Sequence, residues 1–213
     1  MRKLTYFIGA SIDGFIAAPD GDFGVFMPYV TEDYAPTLHS EYPETIPTFG
    51  RAAVGIADAP NERFDTVLMG RGTYEPGIRL GIANPYAHLR QIVFSRTLDT
   101  SPDPAVELTA EDPLSVVRRL KAEDGLGIWL CGGADLAGQL LPEIDELIVK
   151  QYPVVIGSGI PLFAPGAAGF TPRAFTLTDS RVFERGNVVL TYERTAPTRD
   201  AQNDARDDAR DAG

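Results

Sequence analysis

The stretch Ile128-Trp129-Leu130-Cys131-Gly132-Gly133-Ala134-Asp135-Leu136 constrains the fold more than any other part of this chain. An apolar, β-type run stops at two adjacent glycines, and a helical pattern reaching Leu141 begins at once. Glycines at such a turn allow backbone angles closed to other residues and let a ligand approach main-chain N–H groups. The helix start adds unpaired donors and a partial positive charge, which suits a pyrophosphate. Taken alone, the pair reads somewhat more readily as a tight strand-to-helix turn than as an anion-facing one.

The flanking sequence places this unit in a repeating order. Strands are expected over Lys3–Ala10, Thr66–Met69, Gln91–Ser95, Ile128–Cys131 and Glu146–Gln151. Helices are expected from Thr31 to Tyr42, with Thr31 as N-cap, from Pro113 to Glu123, and from Ala134 to Leu141. The segment Ser11–Gly21, with its Asp-Gly pairs and Pro19, reads as a looped excursion. Strand and helix alternate, which favours a parallel sheet with helices on both faces. After Gln151 the character changes: Phe175–Glu184 and Asn187–Arg194 flank Arg185-Gly186 as a terminal hairpin.

With 213 residues, 44% of them hydrophobic, the chain can bury a full core as one domain, or at most two small ones. Residues 1–195 form that domain in this reading, and 196–213 a polar, solvated tail. The tail holds five Asp and three Arg, so it is not the source of the net charge of −11. That charge argues against a nucleic-acid backbone as partner. Cys131 stands alone, which excludes an intramolecular disulfide and a cysteine-based zinc site. It reads as an inert buried thiol, and no metal is expected. Met1-Arg2-Lys3 leads straight into a strand, and no stretch approaches the roughly 18 apolar residues of a membrane span. A cytoplasmic protein with a small-molecule substrate, and no membrane partner, is the expectation.

Three strand ends carry chemistry, and in a parallel sheet they share one edge, where ligands bind. They are Gly70-Arg71-Gly72-Thr73, Phe94-Ser95-Arg96-Thr97 and the Gly132-Gly133 turn. Arg71 and Thr73 suit a phosphate, and Ser95 with Arg96 makes a compact anion clamp. Each has a plainer reading as a cap or polar loop.

Together with Ser11-x-Asp13-Gly14-x-Ile16-Ala17, Met69-Gly70-Arg71-x-Thr73-Tyr74-Glu75 and the late Pro153-x-x-Ile156-Gly157-Ser158-Gly159-Ile160-Pro161-Leu162-Phe163, these pieces resemble the dihydrofolate reductase-like family. The branch they resemble most is related to the riboflavin-biosynthesis reductase (RibD C-terminal) domain, and the likeness covers about residues 2–194. It implies an α/β, dihydrofolate reductase-like three-layer fold, with a mostly parallel central sheet and an antiparallel C-terminal edge hairpin. It implies NADPH lying along the strand ends. Gly70, Arg71 and Thr73 would hold the adenosine side, Ser95 and Arg96 the 2′-phosphate, and Gly132, Gly133 and Ala134 the pyrophosphate. Ala10, Ile16 and Ala17 would border the nicotinamide. The implied activity is hydride transfer to a small heterocyclic or ribosylaminopyrimidine-like substrate, in a homodimer. The alternative is a non-catalytic NADP(H)-binding or interaction protein on the same fold.

Folate-reducing relatives place a carboxylate in the first helix, and no acid here matches that pattern. Glu32, Asp33, Glu41 and Glu44 read as solvated charges, and His39 and His88 as surface residues. Glu32 and Asp33 are nonetheless the first candidates for a proton donor. A helix starting at Thr31 could turn either toward the nicotinamide, and burial there would raise its pKa. Gly157-Ser158-Gly159 reads as a turn beside the substrate pocket or as a plain glycine turn.

Overall fold

The computed structural model describes residues 1–165 and 172–195. The expected tail, residues 196–213, lies outside these residues. An eight-stranded sheet runs through the molecule, built from β1 (Leu4–Ser11), β3 (Phe64–Gly70), β4 (Arg90–Phe94), β5 (Val106–Thr109), β6 (Gly127–Gly132), β7 (Glu146–Tyr152), β9 (Phe175–Val182) and β10 (Val188–Arg194). Its order is β5-β4-β3-β6-β1-β7-β10-β9. The first six of these strands in space are parallel, and β10 pairs antiparallel to both β7 and β9. A mostly parallel α/β sheet with an antiparallel edge is therefore the observed architecture.

Side-chain alternation explains the layers. In β1, Leu4 and Tyr6 point to one face, where they meet Val117 and Leu120 of α4 (Pro113–Ala122) and Leu136 and Leu140 of α5 (Ala134–Leu140). Phe7 points to the other, against Tyr34 and Leu38 of α1 (Tyr34–Glu41) and Tyr74 of α3 (Arg71–Arg79). A sheet covered on both faces needs apolar residues at every position, hence runs such as Ile128-Trp129-Leu130. Asp112 caps α4 by accepting the N–H of Ser115 at 2.9 Å, with Pro113 in the first turn. At the far end, the Arg194 guanidinium donates to the carbonyls of Leu141, Pro142 and Ile144, fastening β10 to the turn before β7.

Several elements differ from expectation. The first helix begins at Tyr34 rather than Thr31, because the Thr31 hydroxyl is engaged with the Asp33 carboxylate instead of capping a main-chain N–H. The excursion after β1 contains a short strand, β2 (Phe15–Ala17), paired with β8 (Ile160–Pro161). Edge strand β5 and the short helix α2 (Thr48–Arg51) were not foreseen. Among the described residues, no helix is long and apolar enough to cross a membrane.

Candidate functional site

β3 and β6 are parallel neighbours, so the turns that end them lie side by side. Met69 is in register with Gly132. Gly132 has φ +153 and Gly133 φ +100, a region that side chains rarely adopt. A Cβ on Gly133 would stand 3.6 Å from Gly70 Cα and 3.6 Å from Thr73 Oγ1. The two backbones and the Thr73 hydroxyl thus form one continuous floor at the carboxyl edge of the sheet.

That floor belongs to a cleft of about 1320 Å³. Ten of the eleven residues expected to hold a cofactor line it: Ile16, Ala17, Gly70, Arg71, Thr73, Ser95, Arg96, Gly132, Gly133 and Ala134. Ala10 does not; it is buried in β1, and its neighbour Gly9 faces the cleft instead.

The outer end is polar, with Arg71 and Arg96 beside the carboxylates of Glu111 and Asp112. Ser95 Oγ accepts the N–H groups of Thr97 (3.2 Å) and Leu98 (2.9 Å), folding the loop after β4. Arg71 donates to Thr97 Oγ1 at 2.9 Å, joining the β3 and β4 ends. Arg96 is exposed and makes no ion pair among the described residues. Asp112, also on this rim, is committed to its helix cap.

The inner end is apolar. Ile8, Ile16, Met69, Phe26 and Tyr152 wall it, the last two with rings stacked 4.7 Å apart. Cys131, expected only as an inert thiol, and Lys150, not among the expected site residues, also reach it. Burial pushes the Cys131 thiol up to about 11, in keeping with an unreactive, protonated sulfur. Lys150 was legible as the lone charge in Leu147-Ile148-Val149-Lys150, although its direction was not.

The acidic candidates sit elsewhere. Neither Glu32 nor Asp33 lines the cleft, and Glu32 is exposed. Asp33 accepts from the Thr31 hydroxyl and from the Glu184 N–H at 2.9 Å, tying α1 to the terminal hairpin. These bonds hold its carboxyl below the usual carboxylate range, the opposite of the raised value expected for a buried donor. Glu44 is not solvated but fully buried, and one of its oxygens accepts the N–H groups of Glu62 and Arg63. Glu41 pairs with Arg181. His88 is a half-buried cross-link rather than a surface residue: Nε2 meets the Glu44 carbonyl and Nδ1 the Thr48 hydroxyl, each at 2.9 Å. Among the described residues no group of His, Cys, Asp or Glu is arranged to hold a metal ion.

The sequence profile of the RibD C-terminal domain matches residues 2–190. The chain belongs to that family. Within reach of it is the uncharacterized protein YwjB of Bacillus subtilis (strain 168), 34% identical over 164 residues, a span of 76% of this chain and 83% of YwjB. Among solved structures, the fold is shared with a putative riboflavin biosynthesis protein from Shewanella sp. PV-4. The TM-score is 0.70 and the identity 22%, covering 92% of this chain and 100% of that one. It is shared also with dihydrofolate reductase from Enterococcus faecalis complexed with NADP(H), at a TM-score of 0.59 and 17% identity, over 91% and 97% of the two chains. The family's α/β scaffold is thus the one seen here, with its cleft at the strand ends.

Proposed function

We infer that this protein is an NADPH-dependent reductase of a small heterocyclic substrate, of the ribosylaminopyrimidine-like or a related class. One observation carries the reading: residues from three separate strand ends, chosen from sequence as cofactor ligands, converge on a single cleft. The residues present fit a phosphorylated dinucleotide. Gly132 and Gly133 leave main chain bare beside Gly70 and Thr73, room that a pyrophosphate needs. Arg96, with Arg71 and Ser95, offers charge-assisted donors to a 2′-phosphate. Ile16 and Ala17 border the apolar inner end, where a nicotinamide ring would lie.

When bound, NADPH supplies a hydride. The protein's part is to align the reacting atoms and keep water from them. Ile8, Ile16, Met69 and Phe26 exclude solvent at the inner end, and the arginines fix the far end of the ligand. Self-association as a homodimer is part of the same reading. It is supported by the family and by β9, a sheet edge whose residues after Phe175 are all exposed.

Fluorescence titration with NADPH and NADH, followed by turnover against pteridine, ribosylaminopyrimidine and carbonyl compounds, tests the proposal. Preferential binding and consumption of NADPH are expected. Binding without turnover of any compound would favour a non-catalytic NADP(H)-binding protein, and no binding would refute both.

A further inference from the structure

The chain has three lysines. Lys3 is paired with Glu193 at 2.7 Å, and Lys121 with Asp145 at 2.6 Å. Lys150 has no carboxylate partner among the described residues. Its ammonium instead lies 4.1 Å from the centroid of the Phe7 ring, at the inner end of the cleft. β7 carries it there, with Gly9 of β1 in register beside it.

The ionisable groups that share the cleft lining with it at this end, Cys131, Tyr86 and Tyr152, are uncharged at neutral pH. Cys131 comes from β6, and its thiol lies 4.0 Å from the Tyr86 hydroxyl. Tyr152 follows on β7, and its hydroxyl is bonded to that of Tyr34 from α1 at 3.3 Å. Burial raises the ionisation of all four above its ordinary range. Burial also lowers Lys150 to about 8, and no carboxylate opposes that shift. A cation in an apolar, aromatic recess is costly without a counter-charge or acceptor, and the ring face meets that need only in part.

We propose that Lys150 meets the substrate at the inner end of the cleft, selecting a planar ring that presents a carbonyl or anionic oxygen. This rests on the reductase reading above. A lysine ammonium at this place inverts the electrostatics of a site built round a carboxylate, which would select a cationic, amino-substituted ring. Lys150 also completes the reduction. As a carbon of the substrate's C=O or C=N bond accepts hydride from the reduced nicotinamide, the π electrons move to the oxygen or nitrogen. That atom takes a proton from the Lys150 ammonium. A C–H and an O–H or N–H bond form, the nicotinamide C–H and a lysine N–H bond break, and the amine regains its proton from water. The cofactor is left oxidised and the substrate reduced by two electrons.

Orotate, a planar anion with ring carbonyls, and 2,4-diaminopyrimidine serve as probes. Calorimetry on wild type and Lys150→Met, with and without NADPH, should show orotate binding wild type more tightly than the diamine. The variant should bind orotate at least about tenfold more weakly. Orotate affinity should also fall as pH rises through about 8, where Lys150 loses its charge. In wild type, trinitrobenzenesulfonate labelling mapped by mass spectrometry should modify Lys150, and orotate should protect it; this arm needs no variant. Equal orotate affinity in both proteins, no orotate binding to wild type, or no protection overturns the assignment. NADPH titrated alone separates the two proposals. Its failure to bind refutes the reductase reading and the proton step, whereas a Lys150-independent orotate site refutes the present inference by itself.

Discussion

The Asp13 carboxylate accepts the main-chain N–H of Gly157 at 2.7 Å, across 144 residues of chain. A second bond, from the Ile156 N–H, completes the tie between the loop after β1 and the turn before β8. Both segments flank the inner mouth of the cleft, where Ile16 and Gly159 form part of the wall.

Removing this tie should loosen the mouth without unfolding the sheet. In Asp13→Ala, hydrogen exchange at the Ile156 and Gly157 amides should quicken, while exchange at Ile128–Leu130 stays slow. The Ser11 hydroxyl and these amides hold the Asp13 carboxyl below its ordinary value. The stabilisation is therefore present above the unfolded pKa near 4 and is lost as pH falls through the lower folded value. Acidification of wild type should reproduce the local exchange of the variant.

Arg96→Ala should weaken NADPH by about 1.5–3 kcal/mol and leave NADH nearly unchanged, because a charge-assisted bond to the 2′-phosphate is lost. Titration of both cofactors checks this. Equal losses would remove the clamp assignment.

Gly133→Val forces a branched side chain onto a backbone at φ +100 and into the floor shared with Gly70 and Thr73. The strain should cost about 1–3 kcal/mol. Cofactor binding should disappear while circular dichroism reports an intact fold. Retained NADPH affinity in the folded variant would reduce the glycine pair to a turn.

Glu44 should prove structural. Its oxygen accepts the Glu62 and Arg63 N–H groups at 2.5 and 2.6 Å in a fully buried setting. Glu44→Ala leaves those donors unpaired and should lower stability by about 2–3 kcal/mol in urea denaturation. Unchanged cofactor affinity is expected in the folded fraction.

His88 gives a pH test with a defined sign. Burial lowers its pKa from the ordinary 6.5, so below that value the unfolded chain binds more protons than the folded one. Stability should fall as pH drops from 6.5 toward the lower folded pKa. His39, also lowered by burial, acts in the same direction. Comparing melts of wild type and His88→Gln across this window isolates the His88 share, seen as a shallower slope in the variant.

Much of the fold was legible because the signals are local. The glycine pair 132–133, the Asp112-Pro113 start of α4 and the apolar runs of β1, β6 and β7 each state their structure within a few residues. β5 and β8 were not, since Val106–Thr109 and Ile160–Pro161 are too short to show periodicity and become strands by pairing with β4 and β2. The start of α1 was misplaced because Thr31 has two partners within reach, and its bond to Asp33 displaces the cap. Glu44 and His88 read as surface groups because acceptors and donors far along the chain, at Glu62, Arg63 and Thr48, are what make their burial possible.

By itself the sequence determined the alternation of strand and helix, the bare glycine turns and the anion-suited residues placed at strand ends. These follow from backbone freedom, side-chain period and helix-end charge, all properties of a few consecutive residues. Tertiary structure alone decided which charges meet in space. It brought β3 and β6 together so that Gly70 faces Gly133, turned Asp33 and Glu44 toward main-chain donors, and set Lys150 over the Phe7 ring. Strand order and burial govern such encounters, because a charge takes its partner and its surrounding dielectric from neighbours distant in sequence.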